Sequence, residues 1–126
     1  MRFTERYKEV PDDLAWHLGA YLRNAPYLLH WIVTSDPLSV LEVGAGTGRA
    51  SVLVKRLLPQ ARVVALDIDP QVCETIKELA RRCQVEVEVC CADLLELPFP
   101  DRSFDTCFSA GVRVSACFRV GRAREC

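Results

Sequence analysis

A short apolar run that ends in a glycine-rich turn constrains the fold of this chain most strongly. Residues 40–43 are Val-Leu-Glu-Val, and glycines follow at positions 44, 46 and 48. Glycine has no Cβ and adopts positive φ angles readily, so such a turn lets the backbone approach a ligand closely. The pattern predicts a buried β-strand followed by a ligand-binding turn.

A second apolar run, at residues 62–67, ends in Asp67. Its β-branched and apolar residues predict the second strand of a β-α-β unit. Asp67 lies about 20 positions after Gly48, the spacing at which an acidic side chain reaches a ribose in nucleotide-binding α/β folds. A carboxylate accepts hydrogen bonds from both ribose hydroxyls, which makes Asp67 a candidate binding residue. Asp69 precedes Pro70 and is expected to cap the next helix.

The rest of the central region continues the alternation of strands and helices. Residues 85–90 alternate apolar and acidic residues, which predicts a third strand, and Asp93 follows as a second binding acid or a solvated loop residue. Residues 49–58 and 71–83 are the helix candidates between the strands. This order predicts an α/β fold, a three-layer doubly wound, Rossmann-like sheet that is mostly parallel. Its ligand site is expected at the carboxyl ends of the strands.

Two motifs resemble those of a known family. The run Glu42-Val-Gly-Ala-Gly-Thr-Gly48 resembles motif I, E-x-G-x-G-x-G, of the class I S-adenosylmethionine-dependent methyltransferases. The dinucleotide fingerprint G-x-G-x-x-G would instead have a glycine where Arg49 stands. The segment Leu-Pro-Phe-Pro-Asp-Arg-Ser-Phe-Asp, from Leu97 to Asp105, is similar to the LPF-x-D-x-SFD segment that leads into the family's fourth strand. Asp105 begins that strand and is expected to have a structural role.

The resemblance implies S-adenosyl-L-methionine as cofactor and methyl transfer to an acceptor, which is expected to be a small molecule. It implies that Glu42 helps to orient the methionyl amino group through water and that Asp67 binds the ribose. Asp93 and the backbone of Leu94 would hold the adenine. The full set of cofactor-binding residues that it implies is Glu42, Gly44, Ala45, Gly46, Gly48, Asp67, Ile68, Asp93, Leu94 and Ser109. No catalytic residue and no metal ligand can be named.

Residues 1–126 are predicted to form a single cofactor-binding domain with three parts. Residues 1–37 are expected to be helical, because apolar residues recur at spacings of three and four, and Pro26 marks a break or a second helix start. Residues 38–111 are the cofactor-binding core. Residues 112–126 are an atypical basic tail with four arginines and one glutamate.

The recognisable motifs end at Gly111, where the composition changes sharply. This change indicates a junction, a tail or a shift of reading frame, and a short strand with a basic end is the alternative. If the family's C-terminal strands are missing, one sheet edge is open, which predicts self-association through that edge and little or no activity. The competing interpretation is therefore a catalytically inactive, truncated cofactor-binding remnant.

Composition narrows the classes of partner, location and metal site that remain. The net charge of −1 and the lack of a wide basic face disfavour a nucleic-acid partner. No apolar stretch is long enough for a membrane span and no export signal opens the chain, so a cytoplasmic location is expected. The seven cysteines include no C-x-x-C pair, which disfavours a zinc site, and reduced thiols are expected. Aromatic residues at helical spacing, such as Trp31, are either lid residues over the cofactor cleft or core residues, and the core is the expectation.

Overall fold

The computed structural model describes residues 26–109 of the chain. The predicted helical residues before Pro26 and the basic tail lie outside the described residues. Within this range the elements follow in the order α1 (Pro26–Thr34), β1 (Ser39–Val43), α2 (Arg49–Leu57), β2 (Arg62–Asp67), α3 (Pro70–Arg82), β3 (Glu88–Cys91) and β4 (Thr106–Phe108), so that helices and strands alternate as far as β3.

The four described strands form one parallel sheet in the order β3-β2-β1-β4. Val43 at the end of β1 pairs with Leu66 on β2, and Asp67 at the end of β2 pairs with Cys91 on β3. The carboxyl ends of these strands therefore meet at one edge. The order and the parallel pairing confirm the predicted Rossmann-like α/β fold.

The two faces of this sheet are covered differently. Val40 and Val63 point to one face, where they pack in a core cluster with residues of the helices, including Leu53 and Leu79. The alternating positions, among them Leu41 and Val64, point to the other face, which the segment 92–104 covers. The Phe99 and Phe104 rings in that segment meet edge to face with centroids 5.0 Å apart. The segment singled out by its family-like motif is thus a covering layer of the sheet.

Helix α3 begins as its sequence predicts. Asp69 is extended, and its side chain accepts a hydrogen bond from the Gln71 N–H at 2.9 Å. Pro70 occupies the first turn, where its missing N–H removes no helix hydrogen bond. The helix ends at Arg82, within one residue of the predicted end.

The predicted start of the third strand is wrong. The strand begins at Glu88 rather than Val85, because the Val85 N–H donates to the carbonyl of Ala80 and Gln84 has a φ of 56°. Gln84 and the Val85 N–H therefore belong to the turn that ends α3, residues 86 and 87 lead into the strand, and Val87 still packs against the core. An alternating pattern predicts which side chains are buried but does not locate the first paired residue.

Two further expectations are corrected. The Trp31 side chain is 50% exposed and does not lie in the core. Cys107 is disulfide-bonded, whereas Cys73, Cys83, Cys90 and Cys91 are free thiols. Spacing in a sequence does not reveal cysteine pairing, which is why the disulfide bond of Cys107 was not foreseen.

Between residues 26 and 109, no helix has the length and apolar character needed to span a bilayer.

Candidate functional site

The turn between β1 and α2 has the conformation that its glycines predict. Gly44, Gly46 and Gly48 have φ angles of 62°, 56° and 77°, in the left-handed region where side chains cause strain. The Ala45 N–H donates to the carbonyl of Leu66 at 3.0 Å, and the Gly48 N–H donates to the carbonyl of Ala45 at 2.9 Å. These bonds fix the turn against the end of β2.

Two glycines of this turn serve different purposes. A Cβ built on Gly48 would lie 2.7 Å from Cγ2 and 2.8 Å from Cγ1 of Ile76, so Gly48 allows α2 to begin against α3. A Cβ on Gly46 would meet nothing within 4 Å. Gly46 therefore faces open space, and its backbone is the part of the turn that a ligand can approach.

The Asp67 carboxylate connects the glycine turn to the end of β2. Its Oδ2 accepts a hydrogen bond from the Gly46 N–H at 3.1 Å, and its Oδ1 accepts one from the Asp69 N–H at 3.0 Å. The Asp67 carbonyl accepts a hydrogen bond from the Ala92 N–H at 3.0 Å, just after β3. Because a carboxylate has about four acceptor sites, two remain for the hydroxyls of a ligand.

The residues after β2 and β3 complete this edge of the sheet. Ile68 is 66% exposed although it is large and apolar. Asp93 is exposed, and its Oδ1 accepts a hydrogen bond from the Leu95 N–H at 2.9 Å, which shapes the loop. The Leu94 side chain packs inward against the sheet, so its backbone is the part expected to contact a ligand.

Glu42 is a buried carboxylate next to the turn. It lies on β1, its exposure is 1%, and its Oε1 accepts a hydrogen bond of 2.6 Å from the Ser51 hydroxyl. Sequence reasoning missed Ser51. The signal was available, since a buried acid requires a donor and Ser51 lies in the first turn of α2, directly after the glycines.

The last two residues singled out in the sequence, Asp105 and Ser109, lie at opposite ends of β4. Ser109 follows β4, and within the described residues its buried hydroxyl has no hydrogen-bond partner. Asp105 precedes the strand, where its Oδ2 accepts a hydrogen bond from the Leu38 N–H at 2.8 Å and its N–H donates to the Ser39 hydroxyl at 3.0 Å. The expected structural role of Asp105 is confirmed, because it joins the amino ends of β1 and β4.

The thiol of Cys73 lies close to the backbone of Asp67. The Sγ of Cys73 is 3.5 Å from the Asp67 carbonyl oxygen. Burial and the neighbouring Cys91 thiol raise the pKa of the Cys73 thiol to about 11. Cys73 is therefore protonated at neutral pH and serves as a donor rather than a nucleophile.

Comparison with known proteins places this geometry in a family. The sequence model of a protein family, described as "Methyltransferase domain", matches residues 40–123 of the chain. The match continues past Gly111, where the motifs recognisable in the sequence end. The chain is 35% identical over 89 residues to a demethylmenaquinone methyltransferase of Deinococcus radiodurans, and this match covers 70% of the chain and 37% of that protein. It is 32% identical over 109 residues to a release factor glutamine methyltransferase of Koribacter versatilis, covering 86% of the chain and 36% of that protein.

A solved structure supports the same assignment. The crystal structure of coclaurine N-methyltransferase, bound to N-methylheliamine and SAH, aligns with a TM-score of 0.57 and 26% identity, over 65% of this chain and 26% of the other. The chain thus spans well under half the length of the relatives it matches. The family match covers most of the chain, and the parallel sheet and its glycine turn agree with it. The chain belongs to the class I S-adenosylmethionine-dependent methyltransferase family.

Proposed function

We propose that this chain binds S-adenosylmethionine at the carboxyl ends of β1, β2 and β3 and transfers its methyl group to an acceptor. One observation carries the proposal. The Asp67 carboxylate, bonded to the Gly46 N–H at 3.1 Å, joins the glycine turn to the end of the neighbouring strand. A carboxylate that can accept hydrogen bonds from ribose hydroxyls therefore lies beside the unobstructed backbone of Gly46.

The residues present fit an adenosyl cofactor. Asp67 retains acceptor sites for the ribose hydroxyls, and the exposed Ile68 offers an apolar contact for a flat ring. Asp93 is exposed on the loop after β3, where it can accept a hydrogen bond from an amino group. The buried hydroxyl of Ser109, which has no hydrogen-bond partner among residues 26–109, is a further polar group of the kind that a ligand satisfies.

Methyl transfer demands positioning from these residues more than acid-base chemistry. The bound sulfonium supplies an activated methyl group and leaves as a neutral thioether. The Asp67 and Asp93 side chains would hold the nucleoside at one end, and the Glu42 carboxylate would orient the methionyl amino group at the other. Holding both ends fixes the direction in which the methyl group faces, which is a proximity and orientation effect.

The acceptor belongs to the proposal as well. A small molecule is the first candidate, and it is supported by the likeness to a demethylmenaquinone methyltransferase. A protein acceptor is the second, because the release factor glutamine methyltransferase is also similar. A cytoplasmic location is part of the same proposal, and cell fractionation tests it.

Transfer of a labelled methyl group tests this function. The chain is incubated with S-adenosylmethionine labelled on the methyl group and with a cell extract, which is then separated by dialysis into small and large molecules. We expect label in the small-molecule fraction, whereas label retained with protein would favour the protein acceptor. The control is the Asp67→Ala variant, which should transfer less at a subsaturating cofactor concentration.

Absence of transfer by a chain that still binds S-adenosylhomocysteine would instead support the inactive remnant. Self-association through a sheet edge also stays a prediction, and sedimentation of the same preparation tests it. A concentration-independent monomer would contradict that expectation.

A further inference from the structure

Two of the buried polar side chains in the described part of the chain are bonded to each other. Among the described residues, Glu42, Ser51 and Thr106 are the buried polar or charged ones. The Ser51 hydroxyl donates to Oε1 of Glu42 at 2.6 Å, and their exposures are 0% and 1%. A bond this short, from a hydroxyl to a buried carboxylate, is typical of a charge-assisted hydrogen bond.

The position of Ser51 is unusual for its helix. The other buried residues of α2 are apolar, and they pack against the sheet. Ser51 lies in the first turn of the helix, where the N–H groups point toward its amino end and favour a nearby negative charge. A hydroxyl in this apolar face is explained by the carboxylate that it contacts.

The bond also fixes where the carboxylate points. Glu42 has several rotatable bonds, and a donor on Oε1 restricts them on the side of α2. Glu42 is followed directly by Val43 and the glycine turn, so its orientation determines what it presents beside Gly44. A carboxylate held in one orientation contributes more to binding than one that must be ordered when the ligand arrives.

We infer that Ser51 is a positioning residue for the amino-acid end of the cofactor, acting through the carboxylate of Glu42. This inference rests on the proposed function and deepens it. Ser51 itself need not touch the ligand. Its removal should weaken the binding of ligands that carry the methionyl amino group and leave the binding of the nucleoside unchanged.

A pair of ligands separates this role from a structural one. S-adenosylhomocysteine carries the amino acid, whereas 5′-methylthioadenosine has the same nucleoside and lacks it. By calorimetry on the full chain, Ser51→Ala should weaken S-adenosylhomocysteine about tenfold and change 5′-methylthioadenosine by less than about twofold, because one charge-assisted bond is lost. Equal weakening of both ligands would show that Ser51 acts through the fold, and no change in either would also overturn the inference.

Two further variants make the test independent of folding. Ser51→Thr keeps the hydroxyl and should bind S-adenosylhomocysteine more tightly than Ser51→Ala, whereas equal loss in both would contradict the inference. Ser51→Ala introduced into a Glu42→Gln background should have little additional effect, because the two residues act as one unit, and additive losses would overturn it. Wild-type chain that binds neither ligand would refute the proposed function itself, and this inference with it.

Discussion

The carboxylates of this chain have distinct surroundings, which decide what each can do. Asp67 accepts two backbone N–H groups and remains partly open, Asp69 caps a helix, and Asp105 joins two strands. Glu42 is fully buried and bonded to Ser51. Residue type and position were enough to predict the cap at Asp69 and the structural role of Asp105, whereas ribose binding by Asp67 stays a prediction. The partner of Glu42 was not predicted, because the pairing depends on how α2 packs over β1.

The raised pKa of the Cys73 thiol predicts that the free energy of unfolding depends on pH. Burial and Cys91 raise the pKa of Cys73 to about 11, so the folded state keeps a proton that the unfolded chain releases at about 8.5. This contribution to stability is fully present below the lower value and is lost as the pH rises through the higher one. The free energy of unfolding should therefore fall between about pH 9 and pH 11.

Urea unfolding across this pH range checks the prediction. Cys73→Ala should flatten the slope relative to the wild-type chain, because the titrating group is gone. An unchanged slope in the variant would show that other groups titrate in this window and that Cys73 does not contribute.

At the scale of elements, the contact between α2 and α3 depends on a missing side chain. The Cβ of an alanine at position 48 would come within 2.7 Å of Ile76, and the φ of 77° adds backbone strain. Gly48→Ala should destabilise the protein by about 2–5 kcal/mol, which combines overpacking with a left-handed backbone. Gly46→Ala carries only the backbone term, about 1–2 kcal/mol.

Chemical denaturation of both glycine variants measures this difference. Ile76→Ala should be less destabilising in the Gly48→Ala background than in the wild type, because it removes the two clashing carbons. Equal stability of Gly46→Ala and Gly48→Ala would contradict the packing role of Gly48. Cofactor affinity should fall more in Gly46→Ala than in Gly48→Ala, since the Cβ added at position 46 enters the space open to a ligand.

Most of the elements could be predicted from local signals. Strand β2 and the cap of α3 have the bounds and residues that apolar runs and Asp69-Pro70 predict. Strand β3 could not be placed from its alternation alone, because the turn after α3 uses the first residues of that pattern. The exposure of Trp31 was also missed, since helical spacing predicts a face but not what covers it.

At the scale of the whole molecule, the site results from topology. Strands β1, β2 and β3 are distant in sequence, yet parallel pairing brings their carboxyl ends together, and Glu42, Gly46, Asp67 and Asp93 with them. The parallel pairing followed from the alternation of strands and helices, whereas the order β3-β2-β1-β4 was not predicted. The hydrogen bond between Gly46 and Asp67 required the structure, because it depends on the path of the turn.

Calorimetry tests the central claim, that this edge of the sheet binds S-adenosylmethionine through Asp67. The wild-type chain should bind S-adenosylhomocysteine in preference to a nicotinamide dinucleotide. Asp67→Ala should weaken that binding about ten- to a hundredfold, as expected for the loss of a charged hydrogen-bonding partner. The matched control is Asp69→Ala, which loses the α3 cap and about 1 kcal/mol of stability but keeps the N–H that binds Asp67, and its affinity should not change. Unchanged affinity in Asp67→Ala, or preference for the nicotinamide dinucleotide, would contradict the account.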